Sequence, residues 1–226
     1  KNQPNYSKEK LRDYNKLVKS DDVKKLLLLA DDLKSTLNKK YYEIIYEKFV
    51  KHNKKPTKTQ EQLFKLKLSF IITTNYDDLL ERACYNATEE LPTPLNYSSS
   101  RDIAYNLWRN HFFILKAHGD PKVNSEEVIL TEKDYREIIY SQRGFQSALQ
   151  ALFSTKTVLF LGTSFNDPDL LLLLNFLYHS YHGGGPTHYI LLPQDVVLDT
   201  EAERYMSDFN LHVIKYDPKN DHEMVL

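Results

Sequence analysis

The sequence predicts an α/β domain, an open and mostly parallel sheet with helices on both faces, preceded by a helical region. From residue 68 onward, short apolar runs alternate with helical stretches, the pattern of buried strands in a parallel sheet covered on both sides. Before residue 68 the apolar residues recur every three or four positions instead, which is the helical period. The chain has 226 residues, 41% of them hydrophobic, enough for one large α/β domain with a small helical attachment.

The helical region spans 8–67. Leu26 to Leu29, then Leu33 and Leu37, then Tyr41, Tyr42, Ile45 and Phe49 mark its apolar faces. The segment HNKKPTKT, with Pro56 at its centre, breaks the pattern before a short helix ending near Lys67. Strands are expected at about 68–74, 112–116, 157–162, 188–192 and 211–216, in one largely parallel sheet, and EEVILT has the same apolar character. DDLLERACYN, EKDYREIIYS, FQSALQALFS and DPDLLLLLNFLYHSYH read as the intervening helices. The last carries its own start and stop: Asp167 as N-cap, Pro168 at the first helical position, Asp169 at the positive dipole end, and Gly183 to Gly185 after its end. The organisation expected is a helical module at 1–67 and an α/β domain at 68–226.

Composition narrows the function classes. No run approaches the roughly 18 apolar residues that a membrane helix needs, and KNQPNYSKEK has no apolar core of a secretory signal. Cys84 is the only cysteine, so neither a disulfide framework nor a four-cysteine zinc site can form. A soluble, cytoplasmic protein is expected. The net charge of −1 hides an asymmetry: residues 1–67 hold 18 Lys/Arg against 9 Asp/Glu, and residues 68–226 hold 12 against 22. A basic front could touch nucleic acid or an acidic partner. Its lysines alternate with Leu and Tyr at helical spacing, however, and read as the solvated face of amphipathic helices. No recognition helix or stacking motif accompanies them.

Three strand ends carry the polar residues from which chemistry could be built: TTNYD at 73–77, HGD at 118–120 and GTS at 162–164. In a parallel sheet such ends lie on one edge, where ligands bind. Each also has a plain structural reading. Asn75 and Asp77 would cap the following helix, His118 would be a turn histidine with a satisfied ring, and Gly162 and Ser164 would permit a tight strand-to-helix turn.

Taken together and in order, TTNYDDLLERA, KAHGD, VILTEKDY and VLFLGTSFNDPDL resemble the sirtuin-like domain of bacterial NAD-depleting, antiviral (abortive-infection) defence proteins, over about residues 66–217. The resemblance implies a Rossmann-like fold with NAD+ as substrate. It assigns Asn75 to orienting the nicotinamide ribose and the attacking water, and His118 to the general base. Tyr76 and Asp77 would face the nicotinamide carboxamide, while Gly162, Thr163 and Ser164 would contact the cofactor's phosphates and ribose. Thr74 stands where the classical sirtuin motif has Gln, and Tyr76 where it has an aliphatic residue.

The residue types suit that chemistry. Cleavage of the nicotinamide–ribose bond passes through an oxocarbenium-like state, and a neutral amide holds water and hydroxyl groups in place without adding a charge that must be desolvated. A histidine titrating near neutrality accepts a proton at physiological pH, typically worth about 10² to 10⁴ in rate. Classical protein-deacylating sirtuins carry a zinc held by four cysteines, which one cysteine cannot supply; water is then the expected acceptor, with no metal required.

A dinucleotide site of this kind also uses a Gly-rich turn after the first strand, yet no glycine precedes Gly119. The expectation is that the first strand and its loop are missing, the chain being a fragment of a longer protein, or that the copy is degenerate. The leading reading is an NAD+ glycohydrolase that forms a homo-oligomer, works with a sensor or activator and meets nucleic acid only through that partner. The alternative is a non-catalytic NAD- or nucleotide-sensing and assembly module.

Overall fold

In the computed structural model, which describes residues 7–19, 22–51, 53–163 and 168–218, the helical region comprises α1 (Lys8–Val18), α2 (Val23–Leu37), α3 (Lys39–Phe49) and α4 (Lys58–Leu63). The starts of α1, α2 and α4 are set by short polar side chains that satisfy otherwise orphaned amides. Ser7 accepts from the Lys10 amide, Asp22 from those of Lys24 and Lys25, and Thr57 and Gln60 form a reciprocal capping box. The chain turns from α2 into α3 at one residue, Asn38, whose φ of +49° is tolerated better by Asn than by most side chains.

The α/β part follows as β1 (Phe70–Thr73), α5 (Leu79–Thr88), β2 (Leu95–Asn96), α6 (Ser100–Arg109), β3 (Phe113–Lys116), α7 (Pro121–Asn124), a 3-10 turn at Ser125–Glu127, α8 (Glu132–Ser141) and α9 (Arg143–Thr155). It continues with β4 (Leu159–Phe160), α10 (Pro168–Ser180), β5 (His188–Pro193), α11 (Asp199–Phe209) and β6 (Leu211–Tyr216). Among the described residues every strand pairing is parallel, so the architecture is the Rossmann-like open α/β type that the alternating pattern predicts.

The strands pair as two three-stranded sheets, β1-β3-β2 and β4-β5-β6, where one sheet was expected. Hydrophobic runs specify which residues are buried and carry no signal for which neighbour a strand takes. EEVILT is not a strand either: the Ile129 amide bonds to the His118 carbonyl at 3.0 Å without a continuing ladder.

The chain divides into two compact units, residues 1–145 and 146–226, with the division inside α9. In the first, β3 is buried along its whole length, and β1 runs beside it in the register Phe70–Phe113 to Thr73–Lys116. The helical region belongs to this unit. Tyr41, Ile45 and Val128 form a buried cluster, with Leu33, Leu37, Phe49, Tyr76 and Leu130 packed against it. Lys34 and Asp134 add an ion pair at 2.6 Å. Burial opposes the charge on Lys34, but the hydrogen bond and field of Asp134 prevail and hold the ammonium above its ordinary range.

In the second unit Leu152, Phe153, Leu174, Leu177, Ile190, Leu192 and Leu211 form the core. His188 sits among them and accepts a hydrogen bond from the Val158 amide at Nδ1. Burial pushes its pKa down to about 4. Helix α10 begins at Pro168, as the sequence predicts, and Gly183 follows its end at φ +74°; the predicted cap, Asp167, lies outside the described residues. Among the described residues no helix is long and apolar enough to cross a membrane.

Candidate functional site

Two neighbouring strands bring the first two motifs together. Thr73 and Lys116 are the last paired residues of β1 and β3, and the Ala117 amide extends the ladder by donating to the Thr73 carbonyl at 2.9 Å. Asn75 and His118 therefore each lie two residues beyond the same rung, at the carboxyl edge of the sheet, where open α/β folds place ligands.

The TTNYD segment splits its residues between solvent and core. Thr74 and Asn75 are exposed, and the Asn75 amide is steadied by Thr73 Oγ1 at 3.1 Å. Asp77 supplies the polar contact to the start of α5, Oδ1 accepting from the Leu79 amide at 3.1 Å. Neither Asn75 nor Asp77 is the N-cap of α5, a position held by Asp78, and of the two it is Asp77 that bonds to the first turn. Tyr76 turns inward: its hydroxyl donates to the Ile129 carbonyl at 2.5 Å, and its ring lies 4.9 Å from Phe49 and 6.4 Å from His118. Burial pushes its phenol pKa well above the usual range, so it stays a neutral donor.

His118 is half-buried. The Tyr135 ring packs edge-on against it at 5.2 Å, with its hydroxyl nearly equidistant from the two ring nitrogens at 3.4 and 3.5 Å. Tyr135 belongs to the VILTEKDY motif and is set in place by the capping box between Thr131 and Asp134 at the start of α8. Gly119 follows His118 at φ +87°, and a Cβ there would sit 2.6 Å from the Glu127 carbonyl. Only glycine meets both demands.

Below the turn lies a buried ion cluster to which the sequence reading assigned no role. Lys116 approaches Glu81 Oε1 at 2.7 Å and Asp120 Oδ2 at 3.1 Å. Its signal was present in KAHGD: a lysine ending an apolar strand, four residues before an aspartate. Beside Asp77 opens a cavity of about 430 Å³, with Leu37, Ile45, Phe49 and Leu130 in its wall and Lys48 and Lys54 among its polar residues.

The third motif belongs to the second unit. Gly162 is exposed at φ +63°, with none of the described residues within 4 Å of where a Cβ would stand, and Thr163 is half-buried. Ser164 lies outside the described residues. Among those described, no group of three His, Cys, Asp or Glu side chains is placed to hold a metal ion.

Comparison with known proteins covers most of this region. The family described as "SIR2-like domain" matches residues 69–214. NAD(+) hydrolase ThsA of Acinetobacter baumannii (strain 532279) is 30% identical over 162 residues, covering 72% of this chain and 32% of that protein. NAD(+) hydrolase ThsA of Bacillus cereus (strain MSX-D12) is 29% identical over 161 residues, 71% of this chain and 32% of that one. Defense-associated sirtuin 2 of Bacillus subtilis is 25% identical over 138 residues, 60% of this chain and 13% of its own. The matched stretch thus spans about a third or less of the length of these relatives.

Proposed function

The chain belongs to the SIR2-like domain family, and on that premise we propose that it hydrolyses NAD+ to nicotinamide and ADP-ribose as part of antiviral defence in the cytoplasm. The reading is carried by one observation: Asn75 and His118 both stand two residues beyond the Thr73–Lys116 rung. The relatives named NAD(+) hydrolase support it. In this reading the exposed Asn75 amide orients the nicotinamide ribose and the attacking water, adding no charge of its own. His118 accepts the proton, its ring backed by Tyr76 and Tyr135.

The residues present suit the substrate. The cavity lined by Asp77 offers apolar walls to the nicotinamide ring, and in this reading Tyr76 and Asp77 face the carboxamide, with Thr74 on the same loop. Gly162, Thr163 and Ser164 take the phosphates and ribose, and a glycine at φ +63° leaves bare backbone for close approach. NAD+ supplies the bond that is broken and is consumed; the reading calls for no metal. The helical region at 1–67 acts as a module beside this site, and the protein works as a homo-oligomer coupled to a sensor or activator, which alone would bring nucleic acid near it.

A second reading is an NAD-sensing module that binds without turnover. Nicotinamide release from NAD+ by the protein as encoded, measured beside cofactor binding, separates the two. Asn75→Ala and His118→Ala should each lower turnover by at least about 10²-fold with binding much less affected. Undiminished release in both variants refutes the hydrolase, and binding with no turnover in the wild type selects the sensor.

A further inference from the structure

Lys116 ends β3 as a charged residue 1% exposed, and its two partners come from opposite sides of the site. Glu81 lies in the first turn of α5, the helix that follows the Asn75 loop. Asp120 lies two residues beyond His118 and caps α7, its Oδ1 accepting from the Lys122 amide at 2.9 Å. One ammonium thus bridges the segment after Asn75 and the turn carrying His118, at 2.7 and 3.1 Å.

Stability alone is a weak reason for such a cluster. Buried ion pairs are expensive to desolvate, and apolar replacements of similar volume are often as stable. A buried charge network does fix geometry, however, and here the geometry is bounded on every side. Lys116 and Asp120 bracket His118, the Gly119 amide donates to the Lys116 carbonyl at 3.1 Å, and Gly119 is held against the Glu127 backbone. The turn has little room to move unless the Lys116 contacts break.

The second oxygen of Glu81, Oε2, is buried and has no hydrogen-bond partner. Burial raises the Glu81 pKa, against the opposing pull of Lys116.

We propose that Lys116 is a positioning residue: by binding Glu81 and Asp120 at once it clamps the His118 turn to the helix behind the Asn75 loop and fixes the separation of the two side chains. The proposal rests on the NAD+ hydrolase reading for its catalytic consequence, while the clamp itself can be measured without turnover. The test uses Lys116→Met, Glu81→Gln and Asp120→Asn in the protein as encoded, with steady-state nicotinamide release and amide hydrogen exchange over 73–79 and 117–120.

Lys116→Met should lower kcat at least about tenfold while KM stays within about threefold, because misplacement of reacting groups acts on the transition state. Exchange should rise in both segments and stay unchanged in β5 and β6. Glu81→Gln, which still offers the ammonium an oxygen, should lose no more than about threefold in kcat, and Asp120→Asn should fall between. Loss of activity only in proportion to the unfolded fraction, with wild-type exchange in the folded remainder, overturns the clamp. If Lys116→Met does not fold, Asp120→Asn decides: a lower kcat at constant KM supports the proposal, and wild-type kinetics overturn it. A wild type without turnover removes the hydrolase reading instead; increased exchange at both segments in Lys116→Met then still supports the clamp, and unchanged exchange overturns it.

Discussion

The loops that carry Asn75 and His118 are braced from several directions, whereas Gly162, in the third motif, is an exposed glycine at positive φ. In the first unit the β1–β3 ladder runs past the last strand residue, Tyr76 is pinned to the Ile129 carbonyl, and Lys116 holds two carboxylates beneath the turn. In the second unit Gly162 follows a strand of only two residues, and among the described residues no atom lies within 4 Å of its would-be Cβ. The difference follows the work proposed for each. Groups that act on a reacting bond must be held to a fraction of an ångström by their surroundings, while a loop that lies against a ligand's phosphates needs bare backbone.

The glycines of the two regions give the sharpest way to break this contrast. Gly119→Ala should cost about 3 kcal/mol or more in denaturant unfolding, since it adds a backbone clash to a left-handed conformation. A cost below about 1 kcal/mol would show that the His118 turn is not held as described. Next in size is an acid effect in the second unit. The His188 pKa is lowered from 6.5 to about 4, so between these values the unfolded chain binds the extra proton. Its contribution is complete above pH 6.5 and is lost as pH falls through about 4. The loss should be on the order of 1–2 kcal/mol after allowance for partial solvent screening. His188→Gln should flatten that part of the stability profile, and an unchanged slope would contradict the assignment. The smallest effect is expected at Gly162→Ala, about 1 kcal/mol from the positive φ alone, with weaker cofactor binding as its main consequence. A penalty equal to that of Gly119→Ala would erase the contrast.

How far the sequence carried these conclusions depended on the length scale of each signal. Long periodic stretches such as 26–49 gave their helices directly, and the runs FFILK and HYILLP gave β3 and β5. Strand β2, Leu95–Asn96, is two residues long and therefore shows no alternation to read. The division into two sheets was invisible because an apolar run does not name its neighbour. In the candidate site, Asn75 and His118 were legible as polar residues at strand ends, and the β1–β3 register puts each two residues beyond the same rung. Lys116, Glu81 and Tyr135 were not. Their roles come from packing between elements 17 to 35 residues apart in sequence, and on a single line Glu81 is one more acidic residue in an amphipathic helix.

The central claim is that Asn75 and His118 serve one transition state, and a double-mutant cycle on nicotinamide release tests it most directly. The protein as encoded, Asn75→Ala, His118→Ala and the combined variant would be compared at saturating NAD+. Residues acting as a unit are strongly non-additive, so the double variant should fall within about threefold of the weaker single variant. Losses that multiply in full would show two independent contributions, and a single variant with wild-type turnover would remove its residue from the chemistry.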